Sequence, residues 1–322
     1  VNKKLTINDI AKMSGVAKST VSRYLNGGSV RPATGQKIKK IIEENNYEPN
    51  VFARLKAKES RVIGLTVPGF DSVTTPRLVE VKKNDYTPLI MHTGNSIAEE
   101  IRSIERLKNM NVDGIMVLAT STTKEYEEVV KRLQIPILFL GQRFPGANSI
   151  INDDYNAGYK VGEYIGKRAF EQIYLLWVSK EDPAVGEERR RGVIDGLFSC
   201  GKEPTEVIET SFFFEAAVHN VEKLIEKVKK PAALICATDR IAQGAYKVFY
   251  EKNIAIPEEV SVVGFGDYET GELMRPPLTT VKFDWKNWGE SSAETMLQMI
   301  QEKPVSQIQV NPYEFIERES VR

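Results

Sequence analysis

The chain has 322 residues, of which 41% are hydrophobic and 27% charged, a composition typical of a globular protein and a length sufficient for two or three domains. No apolar run approaches the roughly 18 residues that span a bilayer, and the stretch VNKKLTINDIAKM has no apolar core of signal-peptide length. The sequence therefore predicts a soluble, cytoplasmic protein with no membrane association. Its two cysteines, Cys200 and Cys236, are expected to be reduced.

Charge is unevenly distributed along the chain, although the formal net charge is zero. Residues 1–60 hold twelve Lys and Arg against five Asp and Glu, a net charge of +7, and the remaining residues carry −7. A basic segment in front of an acidic body favours a nucleic-acid partner for that segment.

Three short helical patterns follow one another in residues 5–46. The first begins at Thr6, a predicted N-cap with Asp9 in the capping-box position. The second covers AKSTVSRYLN after a Ser-Gly turn, and the third begins near Pro32. Apolar residues at helical spacing form the predicted inward face: Ile7, Ile10, Ala11, Met13, Val21, Tyr24, Leu25, Ile38, Ile41 and Ile42. Two helices joined by a short turn that contains Gly are typical of a helix-turn-helix domain.

Residues 47–60 contain too few apolar residues to fold alone and are predicted to form a linker with a short helical piece. From Arg61 onward, buried strands alternate with amphipathic helices. The predicted strands are RVIGLTVP, YTPLIMHT, VDGIMVLA, IPILFLG, QIYLLWVS, EVIETSF, AALICA and VSVVGFG. Such alternation predicts parallel sheets covered by helices on both faces. The number of units exceeds one sheet of typical size, which favours two doubly wound lobes with a ligand between them.

Several strings together resemble the LacI/GalR family of bacterial transcriptional repressors: LTINDIAKMSGVAKSTVSRYLN, YEPNVFAR, VDGIMVLA, ATDRIAQGAYKVF, VSVVGFGDYE and PPLTTVKFDW. The resemblance covers essentially the whole chain. It implies an α/β fold class, with an N-terminal all-α helix-turn-helix domain plus a periplasmic-binding-protein-like core of two doubly wound parallel-sheet subdomains. It also implies a homodimer or tetramer on palindromic operator DNA, with a small-molecule effector, usually a sugar, between the subdomains.

Within that family, four strings are most similar to sucrose operon repressors of Gram-positive bacteria: KSTVSRYLN, DPAVGEERRRGVIDGL, ETSFFFEAA and GFGDYE. Sucrose is therefore the favoured effector, and neither a cofactor nor a metal is expected. The resemblance divides the chain into residues 1–46 (helix-turn-helix domain), 47–60 (hinge helix or linker) and 61–322 (effector-binding and dimerisation core). The core is expected to comprise an N-subdomain (about 61–155 plus 285–310) and a C-subdomain (about 156–284 plus the C-terminal tail).

The second helix of the family lies in the major groove of DNA, and transfer by motif assigns base contacts to Lys18, Ser19 and Arg23. Arg and Lys donate to guanine O6 and N7, and a bidentate contact contributes about 1–3 kcal/mol of discrimination. A phosphate or intramolecular contact is the alternative for Arg23. Phosphate contacts position the helix without reading sequence, and their expected residues are Thr6, Thr20, Ser22, Asn26 and Thr34, with Ala53 in the hinge.

A hinge leucine of the family wedges into the minor groove and kinks the duplex. Here the hinge reads Ala53-Arg54-Leu55-Lys56, with the leucine one residue earlier than in the usual pattern. Leu55 is the predicted wedge, and a small linker contact is the alternative. Between the first two strands, residues 78–86 leave room for only about two helical turns, fewer than the family has.

The effector is expected at the carboxyl ends of the strands, where the two lobes meet. The predicted effector-binding residues are Phe70, Asp71, Ser72, Asp154, Arg189, Phe212, Thr238, Asp239, Asp267 and Trp285. Arg189 stands three residues before Gly192, and a planar guanidinium suits paired sugar hydroxyls or a phosphate. Phe212 and Trp285 would pack against the C–H faces of a sugar ring, with ordinary core packing as the alternative.

Three of the acidic candidates have alternative interpretations. Asp239 is equally well explained as a helix N-cap. Asp267 stands one position later than the acidic residue of the family pattern, where this chain has Gly266. A structural role for Asp154 is as well supported as a binding role.

Two other classes of protein remain as alternatives. An enzyme is disfavoured because the sequence has no GxSxG elbow, Walker A loop or zinc-spaced Cys/His set, and its only histidines are His92 and His219. A sugar-binding protein of a transport system would share the core fold, but it would need export and would have no use for residues 1–60. Within the regulator class, the effector could instead be trehalose, a sugar phosphate or a non-sugar molecule. It could also act as a corepressor instead of an inducer. A co-regulator protein is a further partner that the resemblance allows.

Overall fold

The computed structural model describes residues 5–25, 28–45, 47, 59–69, 75–76, 85–121 and 123–322. Several predicted site residues lie outside these ranges, namely Asn26, Ala53, Leu55, Phe70, Asp71 and Ser72. Most of the predicted linker, residues 48–58, and most of segment 78–86 between the first two strands, residues 78–84, also lie outside them.

The N-terminal domain consists of three helices, as predicted: α1 (Ile7–Ser14), α2 (Lys18–Leu25) and α3 (Pro32–Glu44). Thr6 begins α1 with a capping box, because its hydroxyl accepts the Asp9 N–H while the Asp9 carboxylate accepts the Thr6 N–H. Gly15 ends α1 at φ +64°, a left-handed conformation that glycine adopts at little cost. The turn between α1 and α2 is therefore as short as the sequence predicts.

A small apolar core holds the three helices together. Its buried members are Ile10, Ala11, Val21 and Ile38. Met13 was predicted to face this core, and the prediction was wrong, because its side chain is 46% exposed. The buried stripe of α1 runs through Ile10, Ala11 and Ser14, which leaves Met13 outside its edge.

The rest of the described chain alternates strands and helices. The strands are β1 (Val62–Val67), β2 (Thr87–His92), β3 (Gly114–Leu118), β4 (Ile137–Leu140), β5 (Asn148–Asn152), β6 (Gln172–Val178), β7 (Glu206–Thr210), β8 (Ala232–Cys236), β9 (Val260–Val263), β10 (Thr280–Phe283), β11 (Ile308–Asn311) and β12 (Tyr313–Ile316). The helices are α4 (Ile97–Asn109), α5 (Lys124–Lys131), α6 (Asp154–Gly166), α7 (Arg190–Phe198), α8 (Phe214–Leu224), α9 (Asp239–Glu251), α10 (Glu269–Leu273) and α11 (Trp285–Ile300).

The first lobe is built on a six-stranded parallel sheet with the order β11-β5-β4-β3-β1-β2. Helices α4 and α5 cover one face, where Leu107 and Tyr126 pack against apolar side chains of the strands. Helix α11 covers the other face with Trp288 and Met296. Because both faces are buried, the strands are continuously apolar rather than alternating.

The second lobe is built on a four-stranded parallel sheet with the order β7-β6-β8-β9, beside the antiparallel pair β10-β12. One large apolar cluster, which includes Trp177, Phe249 and Phe265, fills this lobe. The predicted pair of doubly wound lobes is thus confirmed. Both cysteines are free, as expected, and no helix of the described residues is long and apolar enough to cross a membrane.

The sequence patterns did not predict strand β5 or the strands from β10 onward. The segment of β5, NSIIN, has only two apolar residues, and it becomes a strand because it pairs with β4 and β11 on either side. These elements carry the chain between the lobes three times, after β5, after β10 and after β11. We retain as a proposal the division into residues 1–46, 47–60 and 61–322, with its two subdomains.

Helices α6 and α7 approach each other so closely that only glycine fits between them. A Cβ atom at Gly158 would overlap the Arg189 carbonyl, and one at Gly192 would overlap the Tyr155 carbonyl. The helical segment that follows β6 is not uniform, because residues Pro183–Arg189 form a π-helical turn before α7 begins. The close approach and the π turn together bring the Arg189 side chain over the start of α6.

Candidate nucleic-acid interface and effector cleft

Helix α2 presents its polar residues on one exposed face. Lys18, Ser19 and Arg23 are exposed, whereas Val21 points into the small core. Ser19 and Arg23 are four residues apart, so they lie one above the other on that face. The three residues predicted to contact bases are therefore displayed together, with Thr20 and Ser22 half-buried at the margins.

The start of α2 lacks a side-chain cap. The carbonyl of Ala17 accepts the first helical bonds, from the N–H groups of Thr20 at 2.9 Å and Val21 at 3.3 Å. Ala17 thus occupies the N-cap position, but its methyl group cannot accept a hydrogen bond from the first turn.

The structure gives the Thr6 hydroxyl another role than the predicted phosphate contact. It donates to the Asp9 carboxylate across 2.7 Å, so its only proton is used within the capping box. A phosphate oxygen needs a hydrogen-bond donor, and the Thr6 hydroxyl already donates its proton to Asp9. Thr6 therefore caps α1, and its predicted phosphate contact stays a prediction.

A groove beside α2 contains residues that the sequence patterns did not select. It lies between α2 and the start of α3 and is lined by Val16, Thr20, Arg23, Ser29, Val30, Arg31, Pro32 and Thr34. Arg31 and Ser29 join the predicted residues Thr20, Arg23 and Thr34 there. Both stand in the turn before α3, where helical spacing gives no signal.

A cavity of about 560 Å³ lies between the two lobes, at the carboxyl ends of their strands. Five predicted effector residues line it: Asp154, Arg189, Phe212, Thr238 and Trp285. Other lining residues come from both lobes, including His92, Thr120 and Gln142 on one side and Asp182, Phe213 and Tyr268 on the other. The volume is within the usual range for small-molecule sites.

Arg189 and Asp154 form a buried ion pair in the wall of this cavity. Nε and Nη2 of Arg189 donate to the same oxygen, Asp154 Oδ1, at 2.8 and 2.6 Å. Nη1 donates to the Ala237 carbonyl at 2.7 Å. Burial raises the pKa of Asp154, and the guanidinium of Arg189 opposes that rise. These bonds use three of the five guanidinium protons, so Arg189 retains two donors for a ligand.

Aromatic side chains form much of the cavity wall. The Arg189 guanidinium lies over the rings of Phe265 and Phe283, at 4.9 and 5.4 Å from their centroids. Trp285 is fixed by a hydrogen bond from its Nε1 to the Gly266 carbonyl at 3.0 Å. Phe212, which follows β7, also lines the cavity and is 38% exposed. Fixed rings that flank hydrogen-bonding groups suit a ligand with apolar faces and polar edges.

The structure does not place Asp239 in the lining of the cavity. Thr238 is the N-cap of α9, and its hydroxyl accepts the Ile241 N–H. The fully buried Asp239 carboxylate accepts the Thr280 hydroxyl at 2.6 Å and the Tyr268 N–H at 2.9 Å. Burial raises the pKa of Asp239 to about 6, although both hydrogen bonds lower it. Asp239 therefore holds the loop that carries Tyr268, and neither predicted role, cap or ligand, describes it.

Asp267 also lies outside the lining. It has a left-handed φ of +52°, and its carboxylate accepts Nη2 of Arg318 at 2.6 Å. The ion pair ties the loop after β9 to the C-terminal segment. The one-residue offset from the family pattern thus coincides with a structural role, and the neighbouring Gly266 and Tyr268 line the cavity instead.

A helix-turn-helix domain with an exposed basic helix, joined to two parallel-sheet lobes around a cleft, defines a class of DNA-binding regulators. A model of the bacterial regulatory proteins of the lacI family matches residues 6–50, and a periplasmic binding protein-like domain matches residues 164–321. The chain is 34% identical over 307 residues to the sucrose operon repressor of Staphylococcus xylosus, with 94% of this chain and 95% of the relative covered.

Other similar proteins agree with this class. The chain is 31% identical over 331 residues to the HTH-type transcriptional repressor PurR of Vibrio atlanticus, with 98% of each chain covered. The lac repressor dimer bound to operator and the anti-inducer ONPF has the same fold, with a TM-score of 0.86, 24% identity and 99% of each chain covered. The chain belongs to the LacI family. It is a DNA-binding transcriptional repressor of that family, whose members in these comparisons are regulators and not enzymes.

Proposed function

We propose that the protein represses a sugar-utilisation operon, binds a palindromic operator as a homodimer, and is released from it by a small sugar, with sucrose favoured. The cleft between the lobes carries the proposal. It combines a buried guanidinium with two remaining donors, aromatic walls and polar strand ends in about 560 Å³. The 34% sequence identity to a sucrose operon repressor, in an alignment that covers 94% of this chain, supports sucrose as the effector.

In this proposal, the exposed residues of α2 contact the DNA bases. Lys18, Ser19 and Arg23 would enter the major groove, and Thr20, Ser22 and Thr34 would contact phosphates. Two-fold symmetry of the dimer would match a palindromic site. Asn26 would contact a phosphate at the end of the recognition segment, and in the hinge Leu55 would be the minor-groove wedge, with Ala53 at the DNA backbone. These three residues lie outside the described ranges.

The sugar is proposed to bind to five residues that line the cleft together, namely Asp154, Arg189, Phe212, Thr238 and Trp285. Phe70, Asp71 and Ser72 follow β1 and complete the proposed set from outside the described ranges. The sugar is an inducer in this proposal, so it must bind the DNA-free conformation more tightly than the DNA-bound one.

A thermal-shift panel tests the effector assignment. Sucrose, sucrose phosphate, fructose and trehalose are each added to the full chain. A sugar present at 100 times its Kd should stabilise the folded protein by about 2.7 kcal/mol. Stabilisation by sucrose supports the proposal, stabilisation by another sugar replaces sucrose with that sugar, and the absence of any shift removes the sugar assignment.

A further inference from the structure

We infer that Gln142 is a specificity-determining residue that accepts a hydrogen bond from one particular hydroxyl of the effector and links that hydroxyl to the opposite lobe. The inference rests on the proposed function and deepens it. Gln142 follows β4 on the first lobe, lines the cleft and is only 4% exposed. Its Nε2 donates across the cleft to Oδ1 of Asp182, on the second lobe, at 3.1 Å.

Asp182 determines which end of the Gln142 amide faces the cleft. Its Oδ1 also accepts the N–H groups of Val185 at 2.7 Å and Gly186 at 3.4 Å, which caps the π turn that leads to Arg189. Because Oδ1 of Asp182 already accepts these two backbone N–H groups, it is an acceptor, and the Gln142 amide presents its nitrogen to it. The carbonyl oxygen, Oε1, is then left as a pure acceptor.

No described residue donates a hydrogen bond to Oε1 of Gln142, although that atom is buried. A buried acceptor that remains unpaired costs free energy comparable to its lost hydration. A ligand donor would remove that cost. The cavity that Gln142 lines is the space from which such a donor can approach.

A second polar atom of the same wall has the same property. Thr120 lies two residues beyond Leu118 and Gln142 two residues beyond Leu140, and Leu118 and Leu140 are paired at the ends of the neighbouring strands β3 and β4. Thr120 Oγ1 is buried, has no hydrogen-bond partner among the described residues, and its side chain also lines the cleft. The hydroxyl of Thr120 can donate as well as accept, whereas Oε1 of Gln142 can only accept.

This combination selects the chemistry of the bound group. A hydroxyl can donate to Gln142 Oε1 and accept from Thr120, so a free sugar hydroxyl satisfies both atoms. A fully ionised phosphate has no donor for Oε1, and the carboxylate of Asp182 lies on the other side of the same amide. The effector is therefore expected to carry an unmodified hydroxyl at this position.

The amide also connects the two lobes through the ligand. A hydroxyl that donates to Oε1 polarises the amide and strengthens its N–H bond to Asp182. Occupancy of the subsite thus favours the arrangement of lobes in which Gln142 and Asp182 are bonded. Asp182 acts here as a positioning residue for Gln142.

The test pairs a variant of Gln142 with analogues of sucrose in a thermodynamic cycle. Binding of sucrose and of its monodeoxy analogues, one for each hydroxyl, is measured by calorimetry with the full chain and with Gln142→Met. We expect Gln142→Met to weaken sucrose binding about tenfold, and one deoxy analogue to lose about the same factor with the native chain. That analogue should bind both proteins equally, whereas every other analogue should remain sensitive to the variant.

Two further variants keep the outcome decisive. Gln298→Met on α11 changes a half-buried glutamine outside the cavity lining and should bind every analogue as the native chain does. Gln142→Asn retains the amide but withdraws it by one methylene, and it replaces the Met variant if that protein has lost its cooperative thermal melt. The inference alone is overturned if the native chain binds sucrose but both Gln142 variants weaken the binding of every analogue by the same factor. Failure of sucrose to bind the native chain would overturn both the inference and the choice of sucrose.

Discussion

Arg189 holds Asp154 through two hydrogen bonds to a single carboxylate oxygen, at 2.8 and 2.6 Å, with both side chains at most 5% exposed. The pair joins the end of the π turn to the first residue of α6. Its position in the cleft wall means that one interaction both stabilises the fold and orients the proposed effector donors.

Arg189→Met should strongly destabilise the protein, because it leaves the buried Asp154 without its cationic partner. Removing one partner of a buried pair costs about 3–5 kcal/mol. Urea unfolding followed by tryptophan fluorescence measures the loss. The matched control is Arg191→Met, two residues along, where the ion pair with Glu188 is about half exposed and little change is expected. Equal losses in the two variants would show that burial of the Arg189 pair does not matter.

Glu100 is expected to make stability depend on pH. Its buried carboxyl accepts the Tyr126 hydroxyl at 2.7 Å, and burial raises its pKa from 4.5 to about 7 despite that hydrogen bond. Between these values the folded state binds more protons than the unfolded state, so stability falls as pH rises from about 4.5 to about 7. Glu100→Gln should remove up to about 3 kcal/mol of this decline.

The measurement is the free energy of unfolding at a series of pH values, for the native chain and for Glu100→Gln. The neighbouring Glu99→Gln serves as a control, because hydrogen bonds from Arg102 and Arg106 lower the pKa of the partly exposed Glu99. That variant should leave the decline above pH 5 in place. A Glu100→Gln protein with the same decline as the native chain would contradict the assignment.

Much of the fold was predictable because its signals are local. The capping box at Thr6, the glycine turn at Gly15 and the apolar strands each depend on residues close together in sequence. Arg189 was also found, because it keeps a fixed spacing to Gly192. The exceptions among helices and strands are those, such as β5, that owe their form to partners far along the chain.

The parts of the cleft that the sequence did not predict depend on long-range contacts. Gln142 and Asp182 are 40 residues apart and meet only because two strand ends from different sheets face each other. Asp239 was misassigned because Thr280, 41 residues away, turns its carboxylate into the protein. Neither contact, Gln142 with Asp182 or Asp239 with Thr280, can be predicted from the spacing of nearby residues.

Ala17→Ser should stabilise the start of α2. A serine hydroxyl at this N-cap can accept an N–H of the first turn of α2, which typically contributes about 1 kcal/mol. Hydrogen exchange of the amides at Thr20 and Val21 should slow by about fivefold, since 1 kcal/mol corresponds to that factor. Ala33→Ser in the first turn of α3 is the control, because it changes the same residue type away from α2. Unchanged exchange at Thr20 would mean that the missing cap is compensated.

Arg23→Ala should reduce specific DNA binding far more than non-specific binding. Loss of a bidentate base contact costs about 1–3 kcal/mol, whereas a phosphate contact affects all sequences alike. Fluorescence anisotropy with a palindrome selected from a random library, and with a scrambled duplex, separates the two effects. Lys40→Ala on α3, where the lysine pairs with Glu44, is the control for general charge loss. Equal weakening on both duplexes would assign Arg23 to phosphate only.

The central claim is that a sugar in the cleft weakens operator binding. The direct measurement is an operator titration by fluorescence anisotropy, with and without sucrose at 100 times the Kd obtained by calorimetry, at fixed salt. Coupling of this kind typically amounts to 1–3 kcal/mol, so operator affinity should fall about 5- to 150-fold. Operator affinity that stays the same, or rises, while sucrose occupies the protein would contradict the account.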